Sequence, residues 1–239
     1  MNILVVNDDG IDAFGIQRLA QAAKEFGKVW VVAPDRQCSA MSHRITILSE
    51  LTVKKSDFPV ADVIAYSVSG TPADCIKIAL QFLLPQKPDL VLSGINNGYN
   101  AGVDLVYSGT VGAAMEALTK GIPAMAFSCE RESDYTVVDH YLTSVIQVLL
   151  NEPIERNRIW NINFPGCSVE ECKGIRKDCE PAQTQYYRDS YLKKEETEDG
   201  MIITTRGLPT LSEEKGSDLE ALQHYYISIG KVTNNVLKP

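Results

Sequence analysis

The stretch Ile3-Leu4-Val5-Val6-Asn7-Asp8-Asp9-Gly10 decides the fold: an unbroken apolar run stops at two adjacent carboxylates and a glycine. Four apolar residues without polar alternation predict a strand buried on both faces, the kind found in parallel sheets. Ligands of open α/β sheets sit at the carboxyl ends of such strands, which is where Asp8 and Asp9 stand. Two unit charges about 4 Å apart repel by about 4 kcal/mol at the effective dielectric of a protein surface. A pair held in a cleft therefore favours a proton or a cation, and a hard divalent metal is the expected cation. Asp-Gly is also a good turn in its own right, so both readings stand until the rest of the chain is read.

Outward from this strand the pattern alternates. Apolar spacing predicts a helix over 15–26 and a second strand over 28–33 that ends at Pro34, which together complete a βαβ unit. Strands follow at 51–54 and 63–68, then a helix over 72–84 opened by Thr71, and another buried strand at 89–92. A helix over 111–120 stopped by Gly121, a strand at 124–127, a helix over 137–150 and a strand at 159–164 ended by Pro165 continue the rhythm. Such alternation predicts an α/β fold, a mostly parallel sheet with helices on both faces. From about residue 166 charge clusters appear, as at 193–198, with hairpin strands expected near 201–205 and a closing strand at 225–232. We expect a catalytic core over 1–180 and a C-terminal hairpin or arm extension over 181–239.

Composition narrows the function. A chain of 239 residues with 44% hydrophobic content can bury one large core, and 23 basic against 31 acidic residues leave a net charge of −8. That balance argues against a nucleic-acid backbone or an anionic membrane as partner, so an anionic substrate has to be met locally. With no leader-like basic and apolar segment before the first strand and no run near the length of a membrane span, a cytoplasmic protein is expected. The six cysteines form no C-x-x-C pair and are expected as free thiols. The three histidines, His43, His140 and His224, lack ligand spacing and are expected in surface or structural roles, His43 lying near the loop of Ser39.

Three further segments empty into polar loops at the same sheet edge. Val31-Val32-Ala33-Pro34-Asp35-Arg36-Gln37-Cys38-Ser39 brings Ser39, a neutral oxygen suited to a hard metal, although a loop serine commonly bonds to water or backbone. Leu90 to Gly102 carries three glycines beside Asn96 and Asn100; Asn96 offers a carbonyl oxygen to magnesium or manganese, and either amide nitrogen can donate to a phosphate. Tyr107-Ser108-Gly109-Thr110 precedes a helix, where Ser108 or Thr110 can cap and the free amides of the first turn form an anion pocket. A metal site facing an anion site describes phosphoryl chemistry. The competing signatures G-x-x-x-x-G-K-[ST], G-x-G-x-x-G after the first strand, G-x-S-x-G and D-x-D are all missing.

Asn-Asp-Asp-Gly at 7–10, Ala-Pro-Asp-Arg at 33–36 with Ser39, Gly-Thr-Pro-Ala-Asp-Cys at 70–75, Ser-Gly-Ile-Asn at 93–96 and Tyr-Ser-Gly-Thr-Val at 107–111 together resemble the SurE survival-protein family. The resemblance covers about residues 1–165 and fades afterwards. It implies a Rossmann-like core, hydrolysis of nucleoside monophosphates by a metal-dependent 5'-nucleotidase, with 3'-nucleotidase and exopolyphosphatase activity as extensions, and a homodimer or homotetramer joined through exchanged C-terminal arms. It also implies Asp8, Asp9, Ser39 and Asn96 as ligands of one Mg2+ or Mn2+, and Ser108, Gly109 and Thr110, with Asn100 nearby, as the phosphate site. Ala40 and Ala117 stand where the family commonly has glycine, Gly216-Ser217-Asp218 replaces Gly-Thr-Asp, and Ile227 to Lys231 lacks the usual threonine and proline.

The mechanism expected from this pattern is direct attack of a metal-positioned water on the phosphoryl group, with Asp8 or Asp9 taking its proton. A nucleotide-sugar transferase on a similar sheet and a non-catalytic sensor that binds metal and nucleotide are the alternatives.

Overall fold

The computed structural model describes residues 1–210 and 214–238. The first strand, β1 (Asn2–Val6), is the apolar run of the opening segment, and every residue from Ile3 to Val6 is buried. Then come α1 (Phe14–Ala23), β2 (Lys28–Pro34), β3 (Val53–Ser56), β4 (Ile64–Val68), α2 (Pro72–Ile78), β5 (Leu90–Asn97), α3 (Gly109–Thr119), β6 (Ala124–Cys129), α4 (Thr136–Leu150) and β7 (Arg158–Phe164). The chain ends with β8 (Ile175–Arg176), β9 (Tyr187–Thr197), β10 (Gly200–Pro209), α5 (Asp218–Gln223) and β11 (Ile227–Thr233).

One sheet of nine strands runs β3-β4-β2-β1-β5-β6-β7-β11-β8. The six from β4 to β7 are parallel, while β3 and β11 pair antiparallel with β4 and β7. Alternate side chains of β1 show why the strand reads as apolar throughout. Ile3 and Val5 enter the core beneath α1 and α4, and Leu4 and Val6 the core beneath α2 and α3.

The chain winds outward from β1 to β2 and β4, then returns to β5 and winds the other way through β6 and β7. Loops leaving β1 and β5 therefore diverge, and a crevice opens between their carboxyl ends.

Several elements depart from the sequence reading. The helix opened by Thr71 has the expected capping box with Asp74, but its α-helical part ends at Ile78 and passes into a wider turn over Ala79–Leu83. Strand β5 continues past Leu92 to Asn97, so Asn96 lies on the strand itself. Gly94 permits this: its φ is +132°, and a Cβ there would sit 2.3 Å from the Phe127 carbonyl oxygen.

The closing strand is the largest difference. β11 is no free edge in an extension, because Ser228 to Thr233 pair with β7 inside the main sheet. The part that projects is the hairpin β9–β10, whose residues are nearly all exposed. No helix among the described residues is long and apolar enough to cross a membrane.

Candidate active site

Main-chain hydrogen bonds lock the loops at the crevice together before any side chain is considered. The Cys38 amide donates to the Asp8 carbonyl at 2.7 Å, the Ile11 amide to Pro34 at 2.9 Å, and the Ser42 amide to Tyr107 at 2.9 Å. The Asn7 side chain closes the Asp-Asp-Gly turn by donating to the Gly10 carbonyl at 2.8 Å, and the Ser93 hydroxyl ties β5 to the first turn of α3 through the Thr110 carbonyl at 2.7 Å.

These ties surround a cavity of about 720 Å³ lined by Asp8, Asp9, Ser39, Asn96, Asn100 and Ser108 among others. Six sequence-predicted residues thus meet in one place, although they come from four loops spread over 100 residues of chain.

Gly109 and Thr110 stand behind the cavity wall. Thr110 is fully buried and gives its hydroxyl proton to Asp8 Oδ1. Gly109 packs so closely on Asp8 that a Cβ would fall 2.9 Å from the Asp8 Cβ and 3.0 Å from Oδ2. The N-terminus of α3 therefore holds Asp8 first, a carboxylate at the positive end of a helix. Ser108 caps the helix by accepting from the Val111 amide at 3.0 Å, which leaves its own hydroxyl proton free to point elsewhere.

Burial pushes Asp8 up to about 7, and the neighbouring Asp9 charge adds to the rise, while hydrogen bonds from Thr110 oppose it. Asp9 is also raised by burial, against a 2.9 Å hydrogen bond from the Asn97 amide and a 3.5 Å contact with Gln37 Nε2. Asp8 is buried and Asp9 half-buried, and among the described residues no lysine or arginine forms an ion pair with either, so the pair favours an added positive charge.

The donors fit a hard cation. Asn96 Nδ2 is held by the Gly98 carbonyl at 2.7 Å, which turns the amide oxygen the opposite way, and Ser39 is exposed at the rim. Among the described residues no group of three or more His, Cys, Asp and Glu side chains is suited to metal, so any ion here relies on two carboxylates and neutral oxygens. That set suits magnesium or manganese and not a soft metal.

Asn100 is built in more firmly than its loop position suggests. Its amide donates to Asn163 Oδ1 and its Nδ2 to Ser128 Oγ, while its carbonyl accepts from Asn161 and Asn163 at 2.9 and 3.0 Å. One N–H of each side-chain amide, Asn96 and Asn100, is thereby taken up inside the protein, and the other remains for a ligand.

His43 pairs with the buried Glu116 of α3 at 2.8 Å, bracing the loop that carries Ser39.

The far wall contains residues that the sequence reading placed elsewhere. Gln185, Tyr187, Asp189, Tyr191 and Gly207, from the root of the β9–β10 hairpin, line the cavity beside Asp104, Tyr107 and Arg131. The Asp104 carboxylate fixes that root by accepting from the Tyr186 and Tyr187 amides at 2.9 and 2.8 Å. The alternation Asn161-x-Asn163 in a buried strand was a readable sign of an internal polar network; the meeting of Asp104 with residues 82 and 83 positions away had none.

The chain matches the family model described as Survival protein SurE over residues 3–188. It is 38% identical over 233 residues to the 5'-nucleotidase SurE of Clostridium botulinum (strain Loch Maree / Type A3), covering 96% of this chain and 91% of the relative. The 5'-nucleotidase SurE of Clostridium beijerinckii is 40% identical over 234 residues, with the same coverage. Among solved structures, the SurE protein from Aquifex aeolicus superposes with a TM-score of 0.83 at 35% identity, over 99% of this chain and 96% of that one. On these matches and on its fold, the chain belongs to the SurE survival-protein family.

Proposed function

We propose that the chain is a divalent-metal-dependent phosphatase that hydrolyses nucleoside monophosphates to nucleoside and phosphate. One observation carries the reading: Asp8 and Asp9, at the switch point of the sheet, share a cavity with Ser108 at the N-terminus of α3. The relatives named 5'-nucleotidase support the same reading.

Asp8, Asp9, Ser39 and Asn96 would hold the metal. A bound magnesium or manganese ion would supply positive charge against the carboxylate pair and the phosphoryl group and would lower the pKa of the attacking water. Asp8 or Asp9 accepts the proton of that water. The Ser108 hydroxyl meets the phosphoryl oxygens, Gly109 and Thr110 hold Asp8 from behind, and Asn100 offers its remaining N–H.

The cavity lining carries four carboxylates, Asp8, Asp9, Asp104 and Asp189, against the guanidinium of Arg131. Phosphates beyond the reacting one meet net negative charge, which favours a monoester over polyphosphate. The expected division at residue 180 is proposed in a narrower form: within 181–239 the β9–β10 hairpin is the oligomerising extension, while β11 belongs to the core sheet. Leu192, Met201, Ile202, Ile203 and Leu208 of the hairpin are all more than 40% exposed, a surface suited to a second copy in a homodimer or homotetramer. The six free cysteines agree with a reducing, cytoplasmic setting.

Phosphate release from a panel of nucleoside monophosphates, with and without Mg2+ or Mn2+, tests the reading. Metal-dependent release is expected. Tight nucleotide binding without turnover would favour the sensor, and sugar transfer with little phosphate release the transferase.

A further inference from the structure

We infer that the root of the β9–β10 hairpin, with Tyr107, is the nucleoside subsite: Tyr107, Tyr187 and Tyr191 form an aromatic wall that receives the base of the substrate. The inference rests on the reading of the cavity as a nucleotide phosphatase site and names the residues that would distinguish a nucleotide from any other phosphate ester.

The floor of the cavity is polar throughout, built from the carboxylates, Ser39, the asparagines and Ser108. The opposite wall carries three tyrosines, Tyr107, Tyr187 and Tyr191, among Asp104, Arg131, Gln185 and Asp189. Tyr187 is fixed in place: its main chain is held by Asp104, its ring stands 4.7 Å from Tyr186 at 80°, and Tyr186 in turn stands 5.2 Å from the buried Tyr99 at 67°.

Tyr107 and Tyr191 differ, because 53% and 65% of their surface is exposed although both line the cavity. Tyr107 directly precedes Ser108 in the chain and Tyr191 belongs to β9, so the two reach one cavity from different elements. One fixed ring and two exposed rings in the lining of a single cavity offer a planar aromatic group faces to stack on.

Stacking on a ring is tolerant of base identity, since every base has a π-face. The wall should therefore favour base-bearing esters over base-free ones and distinguish weakly among bases.

The experiment compares adenosine 5'-monophosphate with ribose 5-phosphate, which presents a sugar phosphate without a base, in the metal-loaded full-length protein. Wild type should use the nucleotide with a KM about tenfold lower or better. Tyr191→Ala and Tyr107→Ala should each raise the nucleotide KM by about tenfold and leave ribose 5-phosphate kinetics unchanged, while Tyr191→Phe, which keeps the ring, restores the wild-type value. Tyr107 lies outside the hairpin, so its variant separates base recognition from any loss of subunit contact, and light scattering on each variant records that contact directly.

Equal losses on both esters, or none on either, would overturn the subsite while leaving the phosphatase reading intact. Wild type that turned over neither ester would overturn both.

Discussion

The parallel core and the β9–β10 hairpin obey opposite rules. In β1 and β5 nearly every side chain is buried, and the residues that do chemistry appear where the strands end. In β9 and β10 nearly every side chain is exposed, and the residues that reach the cavity sit where the hairpin begins. An 11-residue strand extends about 35 Å, so the hairpin tip stands far from the core that anchors its root. The core thus derives its order from burial and presents the carboxylates, whereas the hairpin derives its order from a few clamps and presents rings and apolar surface.

The sharpest way to break this comparison is at the strand end. Asp8→Asn should lower turnover on the order of a thousandfold while the fold persists, because a charged oxygen is lost from the cation site. Full metal-dependent activity in that variant, measured by phosphate release, would remove the strand end from the chemistry.

Stability sharpens the contrast next. Phe127, with no exposed surface in β6, should cost about 3–5 kcal/mol when cut to alanine. Ile202→Ser, at a position 56% exposed in β10, should change the unfolding free energy of the subunit by less than about 0.5 kcal/mol. Urea denaturation of both variants checks the pair, and comparable losses would mean that the hairpin is packed as firmly as the core.

Gly109→Val probes the seam between the first turn of α3 and Asp8. A Cβ there has only 2.9 Å to the Asp8 Cβ, so the valine displaces the carboxylate and crowds the anion position. Inorganic phosphate should then cease to raise the thermal midpoint; an unchanged phosphate response would move the anion site elsewhere.

The smallest effect on chemistry is expected from the hairpin tip. Replacing residues 194–203 by a short turn should convert the proposed homodimer or homotetramer to a monomer by light scattering and keep metal affinity and turnover per subunit. Removing all of 181–239 is a different experiment, because it strips β11 from β7 and takes away Asp218, which accepts from the Gly102 and Ala182 amides at 2.9 and 3.0 Å.

The same contrast accounts for what could be read in advance. Strands such as Ile3 to Val6 and helices such as the one opened by Thr71 are legible because burial and capping leave local marks on the sequence. The meeting of Asp8, Asp9, Ser39 and Asn96 in one cavity was legible for a related reason: each follows or ends an apolar strand, and parallel strands bring those ends together. Tyr187 and Tyr191 could not be read as cavity residues because their partners, Asp104 and the cavity floor, lie far away in sequence and no periodicity links them. β11 was misplaced for the same cause, since pairing with β7 depends on the chain returning after the hairpin. Thr110, read as a phosphate ligand or cap, turns its hydroxyl to Asp8, a contact set by packing across 102 residues.

The central claim is that the Asp8–Asp9 pair is a cation site, and the thermal midpoint as a function of pH, with and without Mn2+, tests it most directly. Burial holds the folded pKa of Asp8 at about 7 against an ordinary 3.8, so the metal-free fold binds more protons than the unfolded chain between those values. Its stability should be greatest below about pH 4, as far as this group contributes, and fall as pH rises toward 7. Saturating Mn2+ should recover the loss near neutrality, while Asp8→Asn should be flatter with pH, more stable than metal-free wild type near pH 7, and far less responsive to Mn2+. Equal Mn2+ shifts in wild type and Asp8→Asn, over the same pH range, would contradict the account.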